Sequence, residues 1–184
     1  MTAEELIAFE REIADLFEQG KIRSPVHLSK GNEQELIEIF KKIKPDDWVF
    51  SNHRSHYHAL LKGIPPEWLK AEILQDRSIT INNAEYHFFS SAIVGGILPI
   101  AVGVAMSIKR EDKWANYDLT DSPRVWCFVG DMAAETGIFH ECVKYALGHK
   151  LPIHFVVENN GFSVDTPTEQ VWRYSYQREL PHQG

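Results

Sequence analysis

Asp131 and Asn160 are the polar side chains whose types and positions most directly suggest chemistry. Each follows an apolar run: Val125 to Val129 stops at Gly130-Asp131, and Ile153 to Val157 stops at Glu158-Asn159-Asn160. A carboxylate and a neutral amide oxygen suit a hard divalent cation, because Mg²⁺ and Ca²⁺ prefer oxygen ligands. Ala133 and Ala134 are small, so the backbone after Asp131 can approach a bound group closely. Free amides at a helix start attract anions. An aspartate among such amides would repel a phosphate unless a cation stood between them. The implied chemistry is a metal ion bridging a diphosphate to protein oxygens. The plain alternative is a helix cap at Asp131 and an ordinary Asn-Asn turn.

The elements that must position these residues follow from hydrophobic pattern. A helical pattern separates the two apolar runs, and strand, helix, strand is the order of a parallel βαβ unit. A right-handed crossover places both strand ends on one edge of a sheet, the edge where open α/β sheets hold ligands. The expected fold class is α/β, a small parallel sheet with helices on both faces.

Upstream, Thr2 with Glu5 predicts a capped helix running to Gly20, and a second helix runs from about Asn32 to before Pro45. Trp48 to Phe50 is expected to be extended, Leu60-Leu61 to continue a helix to Gly63, and Pro65-Pro66 to open another reaching Leu74. Ser78 to Ser91 has no clear period and is expected to be a loop. Ala92 to Ile108 is expected to be a helix, apolar nearly all round and therefore buried, in this chain or against another. Asp112 to Pro123 reads as a polar connector, and no further strand–helix–strand pattern follows Asn160.

Composition excludes several classes. A formal net charge of −7 with no Lys/Arg-rich run argues against nucleic-acid binding. Ala92 to Ile108 is broken by Gly95, Gly96, Pro99 and Gly103 and is short for a membrane span. The N-terminus opens with an acidic amphipathic helix rather than a signal peptide, and the two cysteines, Cys127 and Cys142, read as buried thiols. A cytoplasmic location is the expectation. There is no GxxxxGK[ST] and no GxGxxG after a strand, so a P-loop nucleotidase or a dinucleotide fold is not expected. Three histidines in His53-Arg54-Ser55-His56-Tyr57-His58 suggest zinc only weakly, because no cysteine or further ligand motif accompanies them.

Gly130-Asp131, twenty-eight intervening residues and Asn160 in an Asn-Asn pair resemble the thiamine diphosphate motif. Its surroundings resemble the alpha-type subunits of the 2-oxo acid dehydrogenases and acetoin dehydrogenases, in the transketolase-like superfamily. The matching segments are His53-Arg54-Ser55-His56, Ser91-Ala92-Ile93-Val94-Gly95 with Pro99 and Ala101-Val102-Gly103, Gly137-Ile138-Phe139-His140-Glu141, and Glu158 to Val164 with Thr166-Pro167-Thr168. They occur in the family's order from about residue 50 to 168. The resemblance implies residues 51–170 as a thiamine diphosphate and Mg²⁺ domain, 1–50 as an N-terminal helical segment and 171–184 as a tail.

It further implies that Asp131 and the side-chain oxygen of Asn160 hold Mg²⁺, with the carbonyl of Phe162 as third ligand. Met132 and Ala133 would turn their amides to the diphosphate, with Arg54 on a phosphate oxygen and His53 beside it. Backbone groups of Ala92 and Val94 would meet the aminopyrimidine. His56 matches a histidine near the active-site entrance, where a proton relay is expected.

The chain departs from the family at several points. Met132 stands where the family has glycine, His53 where it has tyrosine, and Lys144 where asparagine is frequent. The loop from Ile79 to Phe89 is short and lacks glycine, with His87 near the place of a family loop histidine. Family alpha subunits also run on past this length, and His182 is the remaining candidate for a later phosphate-contacting histidine.

Activation of the cofactor needs a glutamate that the family carries on a pyrimidine domain, usually in a separate beta-type subunit. The expectation is therefore an enzyme inactive alone, working as a hetero-oligomer on a 2-oxo acid and passing the fragment to a lipoyl or other acyl carrier. Alternatives are half of a split transketolase-like or acyloin-forming enzyme, a sulfopyruvate-type decarboxylase subunit, or a non-catalytic scaffold.

Overall fold

The computed structural model describes residues 1–111, 122–163 and 166–171. Its organising element is β4 (Val125–Gly130), apolar on both sides and buried from Val125 to Val129. Such a strand needs cover on both faces. Val125, Cys127 and Val129 turn to one hydrophobic cluster, and Trp126 and Phe128 to the other.

The cluster that holds Trp126 and Phe128 is closed by α1 (Ala3–Glu18), α2 (Glu33–Phe40), α3 (His56–Leu61) and α4 (Pro66–Leu74). The opposite cluster is closed by α5 (Ile97–Glu111) and α7 (Gly137–Gly148). The helix starts match local chemistry. Thr2 and Glu5 form a reciprocal capping box on α1, and Pro66 opens α4, where a missing amide costs nothing.

The sheet has the order β2-β3-β1-β4-β5, with β1 at Trp48–Ser51, β2 at Asn82–Asn83, β3 at Phe88–Ser90 and β5 at Ile153–Glu158. β3, β1, β4 and β5 are mutually parallel, and only β2 runs against its neighbour. The expected βαβ unit is present: β4 leads through α6 (Asp131–Ala134) and α7 into β5, in register from Val125↔Ile153 to Gly130↔Glu158. Four parallel strands thus end at one edge. Asp47 fixes the opposite edge, accepting from the backbone amides of Lys44 and Arg124 and from the indole of Trp126.

Two expectations are corrected. Ser78 to Ser91 is not merely a loop; it contains β2, a short 3₁₀ turn and β3. Phe88 to Ser90 is too brief to show a period, yet Phe88 is fully buried and paired to Val49. The helix expected from Ala92 begins at Ile97. Gly95 adopts φ +74°, the Ser91 hydroxyl accepts the Ile93 amide, and the chain makes a turn before entering α5. Within this chain α5 is also one-sided: Leu98, Ala101 and Ala105 are buried, while Pro99, Ile100 and Gly103 are exposed.

A hairpin of β6 (Phe162–Ser163) and β7 (Thr166–Pro167), then α8 (Thr168–Val171), follows Asn160. Most of the expected connector, 112–121, and the tail beyond 171 with His182 lie outside the described residues. Cys127 and Cys142 are buried free thiols, and burial pushes both upward in pKa. Among the described residues no helix is long and apolar enough to cross a membrane.

Candidate functional site

The four parallel strand ends open onto a cavity of about 500 Å³. Its walls are Asn52–Arg54 after β1, Ile93–Gly95 after β3, Gly130–Ala133 after β4, and Glu158–Ser163 after β5. Topology therefore gathers the segments that the sequence separates by more than a hundred residues.

Asp131 is 6% exposed. Burial raises its carboxyl above the usual range, opposed by amide hydrogen bonds from Met132 and Gly161. The Met132 amide donates to Asp131 Oδ1 at 2.8 Å, so this backbone group serves the aspartate here. Met132 lies in the single helical turn of α6 and is not among the positive-φ residues, so a side chain in place of the family glycine introduces no strain. Ala133 lines the cavity beside it.

Asn159 and Asn160 each fold back on the chain: their side-chain oxygens accept the amides of Gly161 at 3.0 Å and Phe162 at 2.9 Å. This is the Asx geometry of the plain turn alternative. It also fixes the Asn160 oxygen at the sheet edge, and a carbonyl oxygen with two lone pairs retains one for a second partner. Gly161 takes φ +72°, a left-handed angle suited to glycine.

Arg54 lies on the wall, and its backbone amide is held by Asn52 Oδ1 at 2.8 Å. Its Nε is buried with no hydrogen-bond partner. A buried guanidinium N–H without an acceptor is costly, and an anion in the cavity would satisfy it. With oxygen donors at Asp131 and Asn160 opposite, the residues present fit a cation-bridged diphosphate.

His53 also lines the cavity, its ring 4.6 Å from that of His27. Burial holds both histidines below their usual pKa, and the nearby Arg54 charge adds to this. Val94 is on the wall with its side chain exposed, whereas Ala92 is exposed and lines no part of the cavity. Both lie in the turn before α5, not in a packed helix.

His56 is placed differently from the entrance position that the resemblance implied. It is wholly buried, Nε2 lies 3.0 Å from Ser78 Oγ, and Nδ1 lies 3.4 Å from Glu10. Facing inward from the first turn of α3, its ring meets Phe9 edge-on and lines no part of the cavity. His87 stands at the opposite edge, at the start of β3, against Trp48. Among the described residues no group of three His, Cys, Asp or Glu could hold a metal, which removes the zinc alternative there.

The sequence reading missed one wall. Leu28, Ser29, Lys30 and Asn32 border the cavity, and Glu10 of α1 holds this segment by accepting the Ser29 amide at 2.8 Å. The only local signal was a polar, glycine-containing stretch between two helices. Nothing in its spacing ties it to strand ends so far along the chain.

Residues 1–179 match the model of the dehydrogenase E1 component family. The chain is 33% identical over 175 residues to the alpha subunit of acetoin:2,6-dichlorophenolindophenol oxidoreductase from Bacillus subtilis (strain 168), covering 90% of this chain and 50% of that protein. It is 34% identical over 168 residues to the pyruvate dehydrogenase E1 component subunit alpha of Porphyra purpurea, covering 85% and 48% respectively. It is 30% identical over 182 residues to the chloroplastic pyruvate dehydrogenase E1 component subunit alpha-3 of Arabidopsis thaliana, covering 90% and 42%. The chain thus spans about half the length of these relatives. The buried aspartate, the Asn-Asn turn and the arginine brought to one sheet edge agree with that match along the sequence, and the chain belongs to the dehydrogenase E1 component family.

Proposed function

We propose that this chain is the diphosphate-binding alpha subunit of a thiamine diphosphate- and Mg²⁺-dependent enzyme acting on a 2-oxo acid. Asp131 and Asn160 supply side-chain oxygens to the cation and Phe162 its carbonyl. Arg54 and the Ala133 amide receive the diphosphate, with His53 and the Met132 amide, which Asp131 holds, beside them. Backbone at Val94 faces the aminopyrimidine, while Ala92, which the resemblance puts with it, lies just outside the cavity. Residues 51–170 form the cofactor-binding unit, 1–50 a helical segment that completes its wall, and 171–184 a tail. His56 acts at a remove from the cavity, through Glu10, which holds the Ser29 segment of the wall.

The observation that carries this reading is the pairing of a buried carboxylate with an amide-oxygen turn at adjacent parallel strand ends. The buried, partnerless Nε of Arg54 in the same cavity supports it. Thiamine diphosphate, when bound, supplies the electron sink that lets a 2-oxo acid lose carbon dioxide. Catalysis needs an activating glutamate, which this reading puts on a beta-type partner. A lipoyl or similar carrier would receive the fragment. The similarity to an acetoin oxidoreductase subunit favours acyloin cleavage as a second reading of the same site.

The test is calorimetric titration of thiamine diphosphate with Mg²⁺ into the complex of this chain and its partner. Asp131→Ala is expected to weaken binding by more than about tenfold, the effect of losing one charged ligand worth over about 1.4 kcal/mol. Identical binding by variant and wild type would overturn the metal site. With the complex active, turnover of 2-oxo acids is expected, and turnover of acetoin alone would select the second reading.

A further inference from the structure

Glu158, the last residue of β5, stands immediately before the Asn159-Asn160 turn and opposite Gly130 in the sheet. Its carboxylate is gripped from two directions. Asn32 Nδ2 donates to Oε1 at 3.0 Å, and His58 Nε2 lies 3.3 Å from Oε2. Local structure does not account for the Asn32 contact. Asn32 occupies the N-cap of α2 but makes no side-chain cap, and its Oδ1 is buried without a partner. An asparagine cap ordinarily stabilises a helix start, so α2 forgoes that local stabilisation for a contact 126 residues away.

His58 is 0% exposed and caged between Phe40 and Phe128, with ring centroids 6.1 and 4.6 Å away. Neither of its nitrogens has an aligned hydrogen-bond partner, and Glu158 is the carboxylate within ion-pair distance. A buried imidazole in an aromatic cage would be replaced at little cost by leucine if packing were its whole task.

We propose that His58 and Asn32 are positioning residues for the divalent-cation site, acting through the Glu158 carboxylate to hold the Asn159-Asn160 turn at the strand end. The cation part of this proposal rests on the reading of Asn160 as a metal ligand. Mechanically, α2 and α3 are packed into the core and β5 is an edge strand, half-exposed along its length. An edge strand lacks a second neighbour to fix its end. Two side-chain contacts from the adjacent helical layer supply that restraint one residue before the turn begins.

The turn has its own reporters, the Gly161 and Phe162 amides that the Asn159 and Asn160 oxygens accept. Hydrogen exchange on the full chain without ligand is expected to show both amides exchanging about tenfold faster in His58→Leu, while the β4 amides are unchanged. His58→Gln, which can return a donor to Glu158, is expected to restore protection. A titration of Mg²⁺ at saturating thiamine diphosphate, with the partner subunit present, is expected to show about tenfold weaker Mg²⁺ affinity in His58→Leu and recovery in His58→Gln. Should His58→Leu fail to fold, Asn32→Ala gives the same two readouts from the half-buried side of the contact.

Wild-type protection and Mg²⁺ affinity in the variants would overturn the proposal. So would loosened amides with unchanged Mg²⁺ affinity, since the link to the ion would then be absent. Mg²⁺ uptake lost in Asp131→Ala but intact in His58→Leu overturns this proposal alone. A wild-type complex that takes up no Mg²⁺ overturns the cofactor reading and this one with it.

Discussion

Asp131, Asn160 and Arg54 differ in how much of their role a sequence can carry. Asp131 and Asn160 end apolar runs, so the elements they terminate announce their place at a strand edge. Arg54 is a lone arginine in a short polar stretch, and its significance lies in a buried Nε that has no acceptor. If that nitrogen serves a phosphate oxygen, Arg54→Met should weaken thiamine diphosphate binding by about ten- to a hundredfold, the range for a charge-assisted hydrogen bond. Binding of thiamine without phosphates should be unchanged. Equal losses for both ligands in competition titrations would mean that Arg54 acts on the fold of the wall instead.

At the scale of elements, the unexpected link is α1 to the cavity. Glu10 receives the Ser29 amide and meets His56 and, more weakly, Tyr57, so one carboxylate joins the 28–32 wall to α3. Burial raises its pKa above the ordinary value of 4.5, opposed by His56, the Ser29 amide and Tyr57. A raised carboxyl pKa means that the fold favours the protonated form. Its contribution to stability is therefore full below pH 4.5 and is lost as pH climbs through the raised value. Glu10→Gln keeps an acceptor for Ser29 but cannot ionise. Urea denaturation across this window should show wild type losing stability relative to Glu10→Gln as pH rises, and a gap that stays constant or widens the other way would refute the assignment. A carboxylate on an otherwise regular amphipathic helix gives no sign of this. The helix period shows which face turns inward, and Glu10 lies among Leu6, Phe9 and Ile13 on that buried face. Its partners come from segments with no pattern of their own.

For the whole molecule, the exposed apolar surface around the cavity is informative. Ile93 and Val94 are 72% and 66% exposed beside it, and Ile100 is 46% exposed on α5. Large apolar groups in one region suit a protein interface better than water. If the missing catalytic group comes from a partner there, the purified chain should show no turnover of a 2-oxo acid with thiamine diphosphate and Mg²⁺. Activity should appear on adding the beta-type subunit. Ile93→Asp should weaken that association in a concentration series, and turnover by the chain alone would refute the requirement.

The sequence by itself determined the βαβ unit, the class of the fold and the placing of an aspartate and an Asn-Asn pair at its strand ends. Apolar periodicity and strand termination are local properties, readable within about thirty residues. Only the tertiary structure decided that Phe88–Ser90 is an inner strand, that His56 is a core residue, and that the 28–32 segment, held by Glu10, borders the cavity. Those outcomes depend on contacts between segments far apart in the chain. Such contacts are selected by packing and burial, and they leave no repeating mark in the sequence.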